Sequence, residues 1–224
     1  MNHIQAVVFD LDDTLFPEHE FVLSGFQAVS DWVGNQFSVT GFFEIAWKLF
    51  KNGKRRTIFD QTLDLLEIPY TPALIQQLVQ IYRDHKPTIT LHPDAKWALN
   101  HFNQDRSLGI ITNGFPLTQQ NKIDALGIES SFAAIICCGT YGVEYFKPNP
   151  FAYQKMMELT GHQSHEYVYV GDHPYKDFPG AKASGWITVR ICRPDGEYSK
   201  LETSASEDAQ FRITSLYELE SIVS

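Results

Sequence analysis

Five short apolar runs punctuate the chain, at residues 4–9, 108–111, 133–137, 167–170 and 186–191, and they read as continuous rather than alternating with polar residues. Runs of Val, Ile and aromatic residues of this kind suit strands buried on both faces of a parallel sheet. Most are separated by stretches with helical spacing and clear end signals. Pro93 stands where the first turn of a helix over 94–102 would begin. Gly127 and Gly161 follow periodic stretches at 119–126 and 150–160 and read as C-terminal stops. Ser215 is placed to cap a last helix over 216–223. Strands alternating with helices predict a doubly wound, Rossmann-like α/β fold with a parallel sheet.

One interval breaks this rhythm. Almost a hundred residues separate the first apolar run from the second, far more than the roughly one dozen that a crossover needs. Within it only helical pattern is found. Val22, Phe26, Val29 and Val33 are spaced four, three and four apart, and Phe59, Leu63 and Leu66 four and three apart. A further helix is predicted to start at Thr71-Pro72, a cap followed by proline, and to carry Leu74, Leu78 and Ile81. So many apolar faces need a core of their own. The prediction is an all-helical domain over 17–87 inserted into an α/β core made of 1–16 and 88–224. The run from Lys51 to Arg56 contains Gly53 and reads as a solvated turn between helices, and 202–210 as a polar surface loop.

Charge and cysteine content narrow the function classes. The net charge of -9 repels phosphate backbones, which argues against a nucleic-acid polymer as partner. It would also repel a small phosphorylated substrate unless something local reverses the sign. No apolar run approaches the roughly 18 residues of a membrane span, so no membrane partner is expected. The N-terminal segment lacks the basic flank of a secretory leader. Three cysteines, Cys137, Cys138 and Cys192, form neither a disulfide framework nor a zinc set, and their apolar surroundings suggest buried, inert thiols. A reducing, cytoplasmic location is expected.

The polar residues at the strand ends supply the missing positive pocket. In an open parallel sheet, ligands bind beyond the carboxyl ends of the strands. The first strand ends in Asp10-Leu11-Asp12-Asp13-Thr14, the second runs into Thr112-Asn113, and the fourth runs into Asp172 with Asp177 five residues on. Lys147 stands in a loop just before a predicted helix. Carboxylates held this close repel one another unless a divalent cation neutralises them. Oxygen donors without His or Cys favour Mg²⁺ over zinc. A cation with Lys147, Thr112 and loop N–H groups makes a site for a phosphoryl group, whose oxygens need charge stabilisation above all. A carboxylate could then serve as the nucleophile. Asp13 reads as a capping or solvated acid, and Thr14 as a hydroxyl that supports the turn through its backbone. His173, beside Asp172, could touch substrate or shape the loop.

Asp10-x-Asp12-x-Thr14, then Thr112, then Lys147 with Pro148, then Gly171-Asp172 with Asp177 resemble, in order, the four motifs of the haloacid dehalogenase-like (HAD) hydrolase superfamily. The resemblance covers the whole chain, and the helical insert resembles that superfamily's first class of cap domain. It implies Asp10 as nucleophile and metal ligand, and Asp12 as the acid that protonates the leaving oxygen and later activates water, with its carbonyl on the metal. It implies Thr112 and the Asn113 N–H as holders of phosphate oxygens, and Lys147 as the screen between nucleophile and phosphate. Asp172 would be a metal ligand, and Asp177 would ligate through water or orient Lys147. The expectation is an Mg²⁺-dependent phosphohydrolase that acts on a small phosphorylated metabolite through an aspartyl-phosphate.

Rival readings are a phosphomutase or a haloacid dehalogenase on the same fold, a receiver domain, and a non-catalytic interaction protein. Dehalogenases of the superfamily do without the second acid of the first motif, and here Asp12 is present. A receiver domain is about half this length and has no insert between its first two strands. Only chemistry obviously requires Asp10, Asp12, Thr112, Lys147 and Asp172 together.

Overall fold

A computed structural model describes residues 4–223. In chain order the elements are β1 (Ala6–Phe9), α1 (Glu18–Phe37), α2 (Phe42–Lys51), α3 (Ile58–Leu65), α4 (Pro72–Asp84), α5 (Pro93–Phe102), β2 (Ser107–Thr112) and α6 (Pro116–Leu126). They continue with β3 (Ala134–Cys137), α7 (Phe151–Thr160), β4 (Tyr167–Gly171), α8 (Pro174–Ala183), β5 (Ile187–Ile191), β6 (Phe211–Ile213) and α9 (Glu220–Val223). The strands pair in parallel in the order β3-β2-β1-β4-β5-β6. This is the doubly wound sheet that the apolar runs predict.

Every residue of β1 is buried, as a strand with a neighbour on each side and packing on both faces must be. Phe9 sits level with Ile110 of β2 and with Val170 of β4. The residues just past these three strands therefore emerge side by side, where the chain order reverses across the sheet. The last strand, β6, was not anticipated. It is three residues long at the sheet edge, and Phe211 and Arg212 are exposed, so no apolar run marks it. Helix α8 has no clear sequence signal either, because Pro179 lies inside it. The last helix differs from expectation in its first turn. Leu216–Leu219 is a 3-10 turn, capped reciprocally by Ser215 and Glu218, and α9 follows it.

The chain divides into two units: Met1–Glu18 with Thr90–Ser224, and His19–Ile89. The joints fall two residues beyond those expected at 16/17 and 87/88. In the second unit Val22, Phe26, Val29 and Val33 of α1 cluster with Phe59, Leu63 and Leu78, so the apolar stripes close on a core of their own. Thr71 caps α4, its hydroxyl accepting from the Leu74 N–H at 3.3 Å. Residues Lys51 to Arg56 end α2 and form an exposed turn before α3. No helix among the described residues is long and apolar enough to cross a membrane. The three thiols are unpaired. Cys138 is buried, while Cys137, on the edge strand β3, and Cys192 are only half-buried, and burial raises the pKa of each.

Candidate active site

Each expected site residue lies at or just past the carboxyl end of a strand, or on the segment that follows. Asp10 follows β1 and anchors to β4 through its N–H, which donates to the Val170 carbonyl at 2.8 Å. Thr112 ends β2, and Asp172 follows β4. Asp177 lies in the first turn of α8, and Lys147 precedes α7. Asp10, Thr112, Lys147, Asp172 and Asp177 are all buried, whereas Asp12 and Asn113 are half-buried. Charged groups so deeply placed persist only when paired or bound to a cation.

Lys147 is the hub of the arrangement. Its Nζ donates to Asp10 Oδ1 at 2.7 Å, to Asp177 Oδ1 at 2.7 Å and to the Tyr169 hydroxyl at 2.9 Å. All three ammonium protons are thereby used. The loop that carries it is clamped by Asn113, whose Oδ1 accepts from the Lys147 N–H at 2.8 Å and whose Nδ2 donates to the Lys147 carbonyl at 3.2 Å. The Lys147–Pro148 peptide bond is cis. Asp177 is held at its other oxygen by the His173 N–H, 2.8 Å away, and its backbone carbonyl accepts from the Tyr153 hydroxyl at 2.6 Å. Tyr169 lies within the apolar run 167–170 and Tyr153 within the helical stretch 150–160, and neither was singled out from the sequence.

Two further side chains reach the first motif from α6. Lys122 pairs with Asp12, and Gln119 touches both Asp12 and Thr112. Neither was singled out from the sequence. On the other side of the motif, Asp13 takes the capping role: its Oδ1 accepts from the Glu18 N–H at 2.8 Å, at the start of α1. Thr14 departs from expectation. Its hydroxyl is buried without a hydrogen-bond partner, and the turn is supported instead through its carbonyl, which accepts from Arg193 Nη2 at 2.7 Å and Nε at 3.2 Å.

The electrostatics follow from burying acids together. Burial raises the Asp10 pKa to about 7, with Asp177 and Asp12 adding to the rise and Lys147 opposing it. Burial, then Asp177 and Asp10, push Asp172 well above the usual carboxylate range. Burial alone would discharge Lys147, but Asp10 and Asp177 outweigh it and hold its pKa well above normal. Glu18, half-buried beside Asp12, is raised to about 8 by burial first. His173 is pushed down to about 4, by burial and then by Lys176, so its ring is neutral at neutral pH.

These groups line a cavity of about 200 Å³. Asp10, Asp12, Thr112, Asn113, Lys147 and Asp172 line it, as do His173 and Tyr198, whose rings lie 4.1 Å apart. Ligand oxygens of Asp10, Asp172 and Asp177 lie within 4.8 Å of one another. An all-carboxylate set, in which burial raises Asp10 and Asp172, suits a hard divalent cation. The Asp12 carboxylate is not part of that cluster.

Comparison with known proteins shows the family and the fold. A family model described as haloacid dehalogenase-like hydrolase matches residues 7–191. The chain is 30% identical over 230 residues to a glyceraldehyde 3-phosphate phosphatase of Methanocaldococcus jannaschii, covering 98% of this chain and 97% of the relative. A protein of the same name from Methanopyrus kandleri is 30% identical over 216 residues, covering 92% and 90%. Among solved structures, the HAD-hydrolase YfnB of Bacillus subtilis, crystallised with magnesium, superposes with a TM-score of 0.70 at 19% identity, covering 99% of both chains.

Proposed function

The chain belongs to the haloacid dehalogenase-like hydrolases, and on that footing we propose that it is a phosphomonoesterase in which Asp10 attacks phosphorus and carries the phosphoryl group as an aspartyl-phosphate. The observation that carries the reading is the division of labour among its acids. Asp10 sits with Lys147 and the metal-facing carboxylates, while the carboxylate of Asp12, two residues on, lies outside that cluster and is bonded to Lys122.

The reaction balances in two steps. An Asp10 oxygen bonds to phosphorus as the bond from phosphorus to the leaving oxygen breaks, and Asp12 gives that oxygen a proton. Water then attacks the aspartyl-phosphate, Asp12 takes up its proton, and the Asp10 carboxylate and inorganic phosphate are released. Thr112 and the Asn113 N–H would hold phosphoryl oxygens, and Lys147 would screen nucleophile from phosphate. A halide would leave without a proton, so a held acid at Asp12 favours phosphate ester over haloacid.

Mg²⁺ is the proposed cofactor, held by the carboxylates of Asp10 and Asp172 and the carbonyl of Asp12, with Asp177 either ligating through water or orienting Lys147. When bound it would neutralise the carboxylate cluster and the phosphoryl oxygens, reversing the local sign of an acidic protein. The substrate class proposed is a small cytoplasmic phosphate monoester, a reading supported by relatives named as glyceraldehyde 3-phosphate phosphatases. The helical unit, read as a cap, would discriminate among leaving groups.

The deciding experiment is a phosphate-release screen over phosphorylated metabolites with Mg²⁺, followed by acid quench and mass spectrometry of the peptide that contains Asp10. Release with phosphate on Asp10 is expected. Absence of release with every monoester, or a covalent phosphate elsewhere, would overturn the proposal.

A further inference from the structure

Asp12 is gripped from α6 by both of its oxygens. Lys122 Nζ donates to Oδ1 at 2.6 Å and Gln119 Nε2 donates to Oδ2 at 3.0 Å. Positions three apart share one face of a helix, and here that face is turned inward: Gln119 is 2% exposed and Lys122 3%. The same Gln119 amide donates to Thr112 Oγ1 at 2.6 Å, which an NH₂ group with two protons can do while also serving Asp12. Lys122 is further confined by the Phe16 ring, whose centroid is 5.9 Å from Nζ.

We infer that Gln119 and Lys122 are positioning residues for proton transfer, holding the Asp12 carboxylate out of the metal-facing cluster and at a fixed distance from Thr112. The inference rests on the proposed roles of Asp10 and Asp12. Its physical basis is competition for a carboxylate. Asp12 is close to Asp10 in sequence, and an unrestrained carboxylate there would turn toward any cation bound by Asp10 and Asp172, or out to water. A charge-assisted bond from Lys122 and a second bond from Gln119 remove both freedoms. Because Gln119 also holds Thr112, the phosphate-binding hydroxyl and the proton donor keep one spacing, and misplacing a catalytic group by about 1 Å can cost about 100-fold in rate.

A buried lysine paired to an acid for stability alone would look the same, so the test must read chemistry. Wild type, Gln119→Met, Lys122→Met and Lys122→Arg are compared by rapid mixing and acid quench. The substrates are p-nitrophenyl phosphate and the alkyl phosphate hydrolysed fastest in the phosphate-release screen. An alkoxide needs its proton during departure and a nitrophenolate does not. Both Met variants should therefore lose at least about tenfold more burst rate on the alkyl ester than on the aryl ester. KM should stay within about twofold, and Lys122→Arg should recover most of the alkyl rate. Should Lys122→Met fail to fold, Gln119→Met, which removes no charge, decides alone. Equal losses on the two esters would overturn the inference and leave a structural pair. If wild type itself forms no phosphate on Asp10, the proposed reaction has failed, and the inference with it.

Discussion

Lys147 Nζ lies 2.7 Å from Asp10 Oδ1, across 137 positions of sequence. The pair couples the loop after β1 to the loop before α7, and through Asp177 to α8. It also occupies one oxygen of the proposed nucleophile, so attack is left to Oδ2.

Removing that ammonium should be costly. In Lys147→Met, Asp10 and Asp177 stay buried and lose their shared cation, and breaking a buried pair from one side typically destabilises by about 3–5 kcal/mol. Urea unfolding of the metal-free variant should show a loss of that order, with part of it regained on adding Mg²⁺. Unchanged stability would contradict the hub role of Lys147.

Stability of the metal-free protein should fall as pH rises. Asp10 at about 7 and Glu18 at about 8 keep their protons in the folded chain well above the ordinary values of 3.8 and 4.5, and Asp172 is shifted the same way. His173, pushed down from 6.5 to about 4, works the other way below about pH 6.5. The three raised acids outnumber it, so the unfolded chain binds fewer protons across this window and the slope of unfolding free energy against pH is negative. The loss should begin near pH 4 and continue past pH 8, where Glu18 is still giving up its proton. Added Mg²⁺ should raise the calorimetric Tm strongly near pH 8 and little near pH 5. A metal-free Tm that climbs between those two values would refute the burial of uncompensated acids.

Activity should vanish on chelation and return with Mg²⁺. Ca²⁺ should restore it poorly, because its larger and more flexible coordination would misplace the nucleophile. Phosphate release after exhaustive dialysis against a chelator, then against each metal, reads this directly. Full activity without metal would exclude the proposed cofactor.

Gly171→Ala should damage the site without removing a polar group. A Cβ there would meet Asp177 Oδ2 at 2.5 Å and Cγ at 2.6 Å. Asp177 must shift, and with it the support for Lys147. Overpacking of this kind costs about 1–3 kcal/mol, so Tm and kcat should both fall. Wild-type kcat in this variant would show that the placement of Asp177 is not critical.

Asp10→Asn should abolish turnover while keeping the fold, since an amide is not a competent nucleophile and the side chain keeps its size. Far-UV circular dichroism and phosphate release on the same sample separate the two effects. Turnover near wild type would rule out the covalent route.

What could be read in the sequence depended on whether a residue's partners were near it or implied by the sheet. The apolar runs of β1, β2, β4 and β5 are almost wholly buried and advertise themselves, and edge strand β3 is as apolar though every second residue is only half-buried. A doubly wound sheet then gathers whatever is polar at the strand ends. That logic brought Asp10, Thr112, Lys147 and Asp172 together before any coordinates. It could not find β6, because Phe211 and Arg212 face solvent. Gln119 and Lys122 were invisible for a different reason. A polar residue on a surface helix reads as solvated, and what buries these two is Asp12, 107 and 110 positions away. The one available signal was their three-residue spacing on the helix that follows Thr112. Thr14 misled because its hydroxyl suggested local bonding, whereas Arg193, 179 positions on, takes the carbonyl instead.

The central place of β1 in the sheet has a consequence for biosynthesis. Among the six strands of the sheet β1 leaves the ribosome before the others, yet its neighbours begin at Ser107 and Tyr167. One open edge of an apolar strand must wait for the whole helical insert, and the other for most of the chain. Pairings so distant slow folding, and exposed edges invite association with other chains. The helical unit, whose contacts are local, is free to fold during that wait. A nascent chain stalled before β4 would thus present a folded insert on an aggregation-prone stem, and chaperone demand should peak over that stretch of synthesis.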